Sequence, residues 1–146
     1  MFNKIVVPLD GSEYAEKALR IAIDLATKYN ASMTLVHVVP ASSALITGPE
    51  VSTAPILMNL SNELSESGKR ILQEGAKIVQ QAGIPVTTVL EQGDISEHII
   101  GVADNEKADL IVMGERGLSS VARFFLGSVA NKVSHHARCP VLIVKT

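Results

Sequence analysis

The sequence predicts an α/β fold in which a buried parallel sheet is covered by helices on both faces. Short β-branched apolar runs alternate with longer amphipathic stretches along all 146 residues, a pattern typical of strands joined by crossover helices. Hydrophobic residues make up 47% of the chain and aromatic residues only 3%, so the core must be aliphatic, as is usual for a parallel sheet. The length fits a single domain, which we expect to span residues 1–146.

The first part of the chain contains two predicted strands, a helix and a long loop. Residues 2–9 (FNKIVVPL) form an apolar run that predicts the first strand, and Ser12 offers an N-cap for the following helix. Asn30 can end that helix, and residues 33–39 predict the second strand. Residues 40–55 are rich in Ser, Thr, Gly and Pro and predict a loop, whose length is typical of functional or mobile segments.

The remainder of the chain continues the alternation of helices and strands. A helical pattern follows the loop, and Gly83 can supply the left-handed residue at its end. Residues 85–90 predict the third strand, after which Asp94 and Glu97 form a capping-box pattern that opens the third helix. The last predicted elements are a fourth strand over residues 109–113, a helix that begins near Gly127 or Ser128 and stops before Pro140, and a fifth strand over residues 141–144.

Composition excludes several classes of function. The net charge is −2 and aromatic residues are scarce, so the chain lacks the basic surface and stacking residues of a nucleic-acid-binding protein. Cys139 is the single cysteine; no intramolecular disulfide is possible, which fits a reducing compartment. No signal peptide is visible, and no apolar run approaches the ~20 residues that a membrane span needs. We therefore expect a cytoplasmic protein that binds neither nucleic acid nor membrane.

A glycine-spaced segment follows the fourth predicted strand. Residues 113–117 read MGERG, and Gly127 and Ser128 come at the start of the last helix. Ligands of open parallel sheets bind beyond the carboxyl ends of the strands. Glycines allow close backbone approach, and the N–H groups at a helix start favour anions. The segment from Gly114 to Ser128 therefore predicts a phosphate-binding site.

Asp10 follows the first strand, which we expect to be central in the sheet. Its carboxylate can accept hydrogen bonds from ribose hydroxyls. The alternative is an ordinary turn in which Asp10 accepts from nearby backbone N–H groups. Its place opposite the glycine segment favours the ligand-binding role.

These motifs carry a family resemblance. The spacing Gly114-x2-Gly117-x9-Gly127-Ser128 resembles the signature of the ATP-binding branch of the universal stress protein family. Residues 5–12 (IVVPLDGS), 109–114 (DLIVMG) and 139–144 (CPVLIV) are also similar to that family, so the resemblance covers essentially the whole chain. It implies a three-layer α/β/α sandwich with a five-stranded parallel sheet in the order 3-2-1-4-5, a Rossmann-like nucleotide-binding fold.

The resemblance also implies a ligand and the residues that hold it. The ligand would be ATP, with Mg²⁺ or Mn²⁺ carried on its phosphates and no dedicated protein metal site. Asp10 and the backbone of Gly114 would hold the ribose. The adenine would be enclosed by Pro8, Leu9, Val39 and Met113, with backbone groups near Val39 reading its edge; the phosphates would be bound by the main-chain N–H groups of Gly117, Gly127, Ser128 and Val129 and by the Ser128 hydroxyl.

Three positions leave details of this site open. Glu115 stands where a small or hydroxylated residue is frequent in the family, and we expect its carboxylate to point into solvent, away from the phosphates. Ala130 replaces a frequent hydroxyl residue and removes one phosphate contact. Arg116 either pairs with a phosphate or is a solvated surface residue.

The histidines and the cysteine favour structural roles. No histidine pair has a metal-binding spacing. His136 shares a helical face with Val133, so we expect it to be packed, whereas His135 should be exposed. His37 ends the second strand near the expected adenine site. Cys139 is expected to act as a small buried hydrophobe.

The sequence thus predicts a binding module, a nucleotide-dependent stress-response regulator or sensor, in which the link to stress comes only from the resemblance. The alternative is a slow ATP hydrolase or nucleotide-transferring enzyme that uses the same pocket. No Walker A lysine or activated nucleophile supports efficient catalysis. A flavin carrier is disfavoured because few aromatic residues are available to stack on a flavin. In the family strand order, residues 141–144 form an apolar edge, which predicts a two-fold homodimer.

Overall fold

The described part of the chain comprises residues 1–41, 54–117 and 127–145 of a computed structural model. Strands and helices alternate along it, as the apolar pattern predicts. Their bounds are β1 Lys4–Pro8, α1 Glu13–Tyr29, β2 Ser32–Pro40, α2 Ala54–Gln81, β3 Val86–Gly93, α3 Ile95–Asn105, β4 Leu110–Gly114, α4 Ser128–His136 and β5 Val141–Val144.

The strands form one parallel sheet in the order β3-β2-β1-β4-β5. Helices α1 and α2 pack on one face and α3 and α4 on the other. The predicted three-layer α/β/α sandwich and its strand order are therefore confirmed, with β1 at the centre. The chain reverses its direction of winding at β1 and β4, so their carboxyl ends form the crevice in which such folds bind ligands.

Two aliphatic clusters fill the space between the sheet and its helices. Because strand side chains alternate between faces, Ile5 and Val7 of β1 pack with α1 and α2, whereas Val6 packs with α3 and α4. All three are at most 1% exposed. The scarcity of aromatic residues is thus compensated by β-branched side chains buried on both faces.

The predicted capping residues lie at the ends of the helices. The Ser12 hydroxyl accepts a hydrogen bond from the Ala15 N–H at 3.1 Å, and Asp94 Oδ1 accepts from the Glu97 N–H at 2.9 Å. Asn30 ends α1 in the left-handed conformation with φ 55°. Gly83 follows α2 with φ 76°. These residues satisfy backbone groups that a helix terminus leaves unpaired.

Several strand bounds differ from the prediction by one to three residues, and the difference is largest at the end of β3. β3 runs to Gly93, whereas the apolar run ends at Leu90. The extra residues pair with β2 as far as Pro40 opposite Gly93; strand pairing continues there through polar side chains that an apolar pattern misses. The predicted loop over residues 40–55 lies mostly outside the described residues, since only residues 40, 41, 54 and 55 fall within them. None of the described helices is long and apolar enough to cross a membrane.

Candidate functional site

A cavity of about 160 Å³ lies at the carboxyl ends of β1 and β4. These strands pair directly, Val6 with Ile111, so the turn after β1 faces the glycine segment after β4. The volume is below the roughly 300–1,000 Å³ of a typical ligand pocket, so the cavity can enclose only part of a nucleotide. The predicted site residues that line it are Pro8, Leu9, Asp10, Met113, Gly114, Arg116, Gly117, Gly127, Ser128, Val129 and Ala130.

Val39 does not line the cavity. Its neighbour Val38 and the alternate residue Val36 project from β2 into the cavity instead. Because side chains alternate along a strand, Val39 lies on the other face, where it is 1% exposed. The structure therefore places the side chains of Val36 and Val38, and not that of Val39, against the cavity, while the contact of backbone groups near Val39 with the adenine edge stays a prediction.

Apolar side chains from α3, which were not among the predicted site residues, complete the inner wall. Ile95 and Ile99 line the cavity together with Met113. The signal was present, because their spacing of four residues places both on one helical face. The resulting wall is apolar and suits a flat heterocycle.

Asp10 lies at the polar side of the cavity. Its Oδ1 accepts a hydrogen bond from the Ser12 N–H at 2.9 Å. This is the bond expected if Asp10 only stabilises a turn. Asp10 also lines the cavity. A Cβ on Gly117 would lie 2.5 Å from Asp10 Oδ2, so the absence of a side chain there lets the carboxylate lie directly against the glycine segment.

The other two glycines are required by packing within the protein. A Cβ on Gly114 would lie 2.6 Å from Cβ of Tyr14 in α1, and one on Gly127 would lie 2.8 Å from the Glu115 carbonyl oxygen. The Gly127 N–H donates to that same oxygen at 2.8 Å. Gly127 therefore packs against Glu115, the residue that follows β4, and its N–H already donates to a carbonyl within the protein; its phosphate role stays a prediction.

The first turn of α4 supplies the remaining backbone donors. The helix ladder begins where the Asn131 N–H donates to the Gly127 carbonyl at 2.9 Å. The N–H groups of Ser128, Val129 and Ala130 precede that bond and have no partner within the helix. Gly127 provides no side-chain cap. The cavity thus meets a helix start whose dipole favours negative charge.

Two charged residues of the glycine segment, Glu115 and Arg116, line the same cavity. Arg116 Nε is fully buried and has no hydrogen-bond partner among the described residues. A buried donor without an acceptor costs about 1–3 kcal/mol, so a ligand oxygen that accepted this hydrogen bond would be favoured. Glu115 is half-buried and lines the cavity, whereas we expected it to face solvent. Ala130 is 2% exposed and contributes a methyl group to the wall.

The histidines lie outside the cavity. His136 is exposed, so its predicted packing is wrong: it is the last residue of α4 and extends beyond the core that covers Val133. His135 is exposed as predicted, and its Nδ1 bonds to the Asn131 carbonyl at 2.8 Å. His37 lies on the face of the sheet opposite to the cavity, and its Nδ1 is 2.6 Å from the Leu9 carbonyl oxygen.

Among the described residues, Cys139 and the acidic side chains form neither a reactive thiol site nor a metal site. Cys139 is half-buried against the cluster beneath α3 and α4, and burial raises the pKa of its thiol, which favours the unreactive protonated form. Within residues 1–41, 54–117 and 127–145, no group of three His, Cys, Asp or Glu side chains could hold a metal ion.

Comparisons with known proteins give this fold and site a family. A sequence model described as the universal stress protein family matches residues 1–145. Universal stress protein YxiE of Bacillus subtilis is 33% identical over 99% of this chain and all of its own length. Universal stress protein MJ0531 of Methanocaldococcus jannaschii is 36% identical over 99% of this chain and 83% of its own length.

Solved structures agree with these sequence relatives. The structure of MJ0577 aligns with a TM-score of 0.86 and 30% identity, covering 100% of this chain and 97% of its own. A universal stress protein described as a complex with cAMP aligns with a TM-score of 0.70 and 28% identity, covering 99% and 97%. One from Archaeoglobus fulgidus, described as a complex with dAMP, aligns with a TM-score of 0.66 and 25% identity, covering 99% and 98%. The chain belongs to the universal stress protein family.

Proposed function

We propose that this protein binds an adenine nucleotide, ATP in particular, in the cavity between β1 and β4. The observation that carries the proposal is that Arg116, whose buried Nε has no hydrogen-bond partner among the described residues, lines a cavity that also meets the start of α4. Both features favour an anionic ligand. The nearby apolar wall of Val38, Ile99 and Met113 favours a heterocyclic base.

The proposed arrangement gives each part of the nucleotide a different surface. The base packs on the apolar wall, and Asp10 accepts hydrogen bonds from the ribose hydroxyls. The phosphates accept from the first N–H groups of α4, from the Ser128 hydroxyl and from Arg116. Two family members are described as complexes with cAMP and dAMP, which share the adenine base and support this choice of ligand.

Electrostatics make the proposed ATP complex dependent on a divalent cation. The acidic residues Asp10 and Glu115 both line the cavity, and carboxylates repel phosphate oxygens. Mg²⁺ or Mn²⁺ on the phosphates would reduce that repulsion, so we propose that ATP is bound as its metal complex.

We also propose that the protein is cytoplasmic and acts as a nucleotide-dependent regulator or sensor of the stress response.

Titration calorimetry with ATP, AMP, cAMP and GTP, with and without Mg²⁺, tests the proposal. We expect adenine nucleotides to bind more tightly than GTP and ATP to require the metal. Ser128→Ala should weaken ATP binding roughly five- to tenfold through loss of one hydrogen bond. Ser134→Ala is the matched control, because Ser134 is exposed on the same helix and its hydroxyl bonds to the Asn131 carbonyl. Equal affinities for ATP and GTP, or no binding, would overturn the proposal.

The same samples separate binding from turnover. Chromatography of ATP incubated with the protein measures conversion to ADP or AMP, which the slow-hydrolase alternative requires. Conversion that is lost in Asp10→Ala would favour an enzyme; stable ATP over many hours would favour a binding module.

A further inference from the structure

His37 connects the first two strands from behind the cavity. Its ring lies on the face of the sheet that carries α2, and Nδ1 is 2.6 Å from the Leu9 carbonyl oxygen. A carbonyl oxygen can only accept, so Nδ1 carries the proton and donates. The bond spans 28 residues and ties the chain that leaves β1 to the neighbouring strand β2.

The residue that His37 holds belongs to the cavity. Leu9 lines it, and the Leu9 N–H donates to the Val36 carbonyl at 2.8 Å. The Leu9 carbonyl is part of the peptide unit that continues into Asp10. The orientation of this peptide unit therefore sets the direction in which the Asp10 side chain leaves the backbone.

Helix α2 confines the His37 ring to one position. A Cβ on Gly68 would lie 2.5 Å from His37 Cδ2 and 3.0 Å from Nε2, so the helix backbone approaches the ring as closely as only glycine allows. A Cβ on Gly75 would lie 2.7 Å from Leu9 Cδ1. The helix thus packs against both partners of the hydrogen bond.

We propose that His37 is a positioning residue of the nucleotide site. It does not contact the ligand; it fixes the Leu9–Asp10 peptide so that the Asp10 carboxylate is presented to the ribose. This inference rests on the proposed adenine-nucleotide function. It assigns a binding role to a side chain on the opposite face of the sheet from the cavity.

Two substitutions at His37 separate hydrogen bonding from packing. His37→Leu removes the donor, and we expect ATP affinity to fall roughly three- to tenfold, the effect of one lost hydrogen bond. His37→Asn places an amide N–H one bond beyond Cγ, as in the imidazole Nδ1, so it should restore most of that affinity. Equal affinity in wild type and His37→Leu, or equal loss in both variants, would overturn the proposal.

A glycine pair tests the same contact from the helix side. Gly68→Ala should push the ring away from Leu9 and weaken ATP binding to the same extent as His37→Leu. Gly101→Ala is the matched control, because Gly101 is also helical and a Cβ there meets nothing within 4 Å. Unchanged ATP affinity in Gly68→Ala would contradict the role of the ring position.

A ligand-free measurement distinguishes this inference from the function on which it rests. Amide hydrogen exchange of Leu9 and Ser12 reports whether the turn is held, because these N–H groups donate to Val36 and Asp10. We expect faster exchange in His37→Leu and near-normal exchange in His37→Asn. ¹⁵N NMR should also show the His37 ring protonated at Nδ1. A wild type that binds no nucleotide overturns the proposed function, whereas unaltered exchange in His37→Leu overturns the positioning role.

Discussion

At the scale of single residues, the site depends on where side chains are missing. Gly114 lets β4 approach Tyr14 of α1, and Gly127, directly before α4, lies against the Glu115 carbonyl oxygen. Both glycines would be needed in a protein that bound nothing. Gly117 differs because a Cβ at this position would displace an oxygen of the Asp10 carboxylate. The need for glycine here therefore depends on the proposed contact between Asp10 and the ribose.

Gly117→Ala should weaken ATP binding by roughly tenfold or more, since displacement of Asp10 costs a hydrogen bond to a charged acceptor. The added Cβ would lie 2.5 Å from Asp10 Oδ2. Calorimetric titration of a double-mutant cycle with Asp10→Ala measures the coupling between the two positions. With the carboxylate removed, Gly117→Ala should have little further effect. Fully additive losses would show that Gly117 acts independently of Asp10.

This distinction changes which substitutions are informative. Gly127→Val, which the glycine spacing suggests as a test of phosphate binding, would bring a side chain against the Glu115 carbonyl oxygen. It would disturb this contact whether or not a nucleotide binds there. Ser128→Ala removes a hydroxyl that we propose to contact the phosphates from an exposed position, and it leaves the backbone packing intact.

At the scale of helices and strands, local chemistry determines most boundaries. Ser12, Asp94 and Asn30 cap the helices as their residue types predict. Apolar runs locate the buried strands, because both faces of a parallel sheet are covered. The end of β3 escapes prediction because Glu91 and Gln92 are fixed by pairing with β2, a long-range interaction that has no local signal.

The sequence predicts the residues on the polar side of the cavity, but it does not predict which residues of β2 line the apolar wall. The glycine spacing and Asp10 identify the polar side of the cavity, because glycines and a carboxylate at the ends of buried strands are a local signal that can be read from the sequence. The apolar wall depends on which alternate residues of β2 face α3, and a shift of one position exchanges Val39 for Val38. The positions of Arg116 Nε and the His37 ring follow only from tertiary packing.

The end of α1 offers a test of capping energetics. Asn30 has φ 55°, a conformation that costs most side chains about 1–2 kcal/mol. Asn30→Ala should lower the free energy of unfolding by about 1 kcal/mol, whereas Asn30→Gly should leave it within about 0.5 kcal/mol of wild type. Urea denaturation measures both. An alanine variant as stable as the glycine variant would contradict this account of the helix end.

At the scale of the whole molecule, β5 stands at one edge of the sheet. Its outer side lacks a partner strand among the described residues, and Leu142 is 38% exposed. A short apolar edge of this kind is prone to pairing with another chain. The same edge on a second copy is self-complementary about a two-fold axis, so both edges can be covered by one isologous contact.

We therefore predict a homodimer that forms through residues 141–144 and dissociates in Leu142→Lys. The substituted ammonium group would have to be desolvated near its symmetry mate, so burial and like-charge repulsion both oppose association. Light scattering coupled to size-exclusion chromatography at micromolar concentration measures the mass. Ile78→Lys is the matched control, because Ile78 is 44% exposed on α2, away from β5. A monomeric wild type, or a Leu142→Lys variant that stays dimeric, would contradict this assignment of the interface.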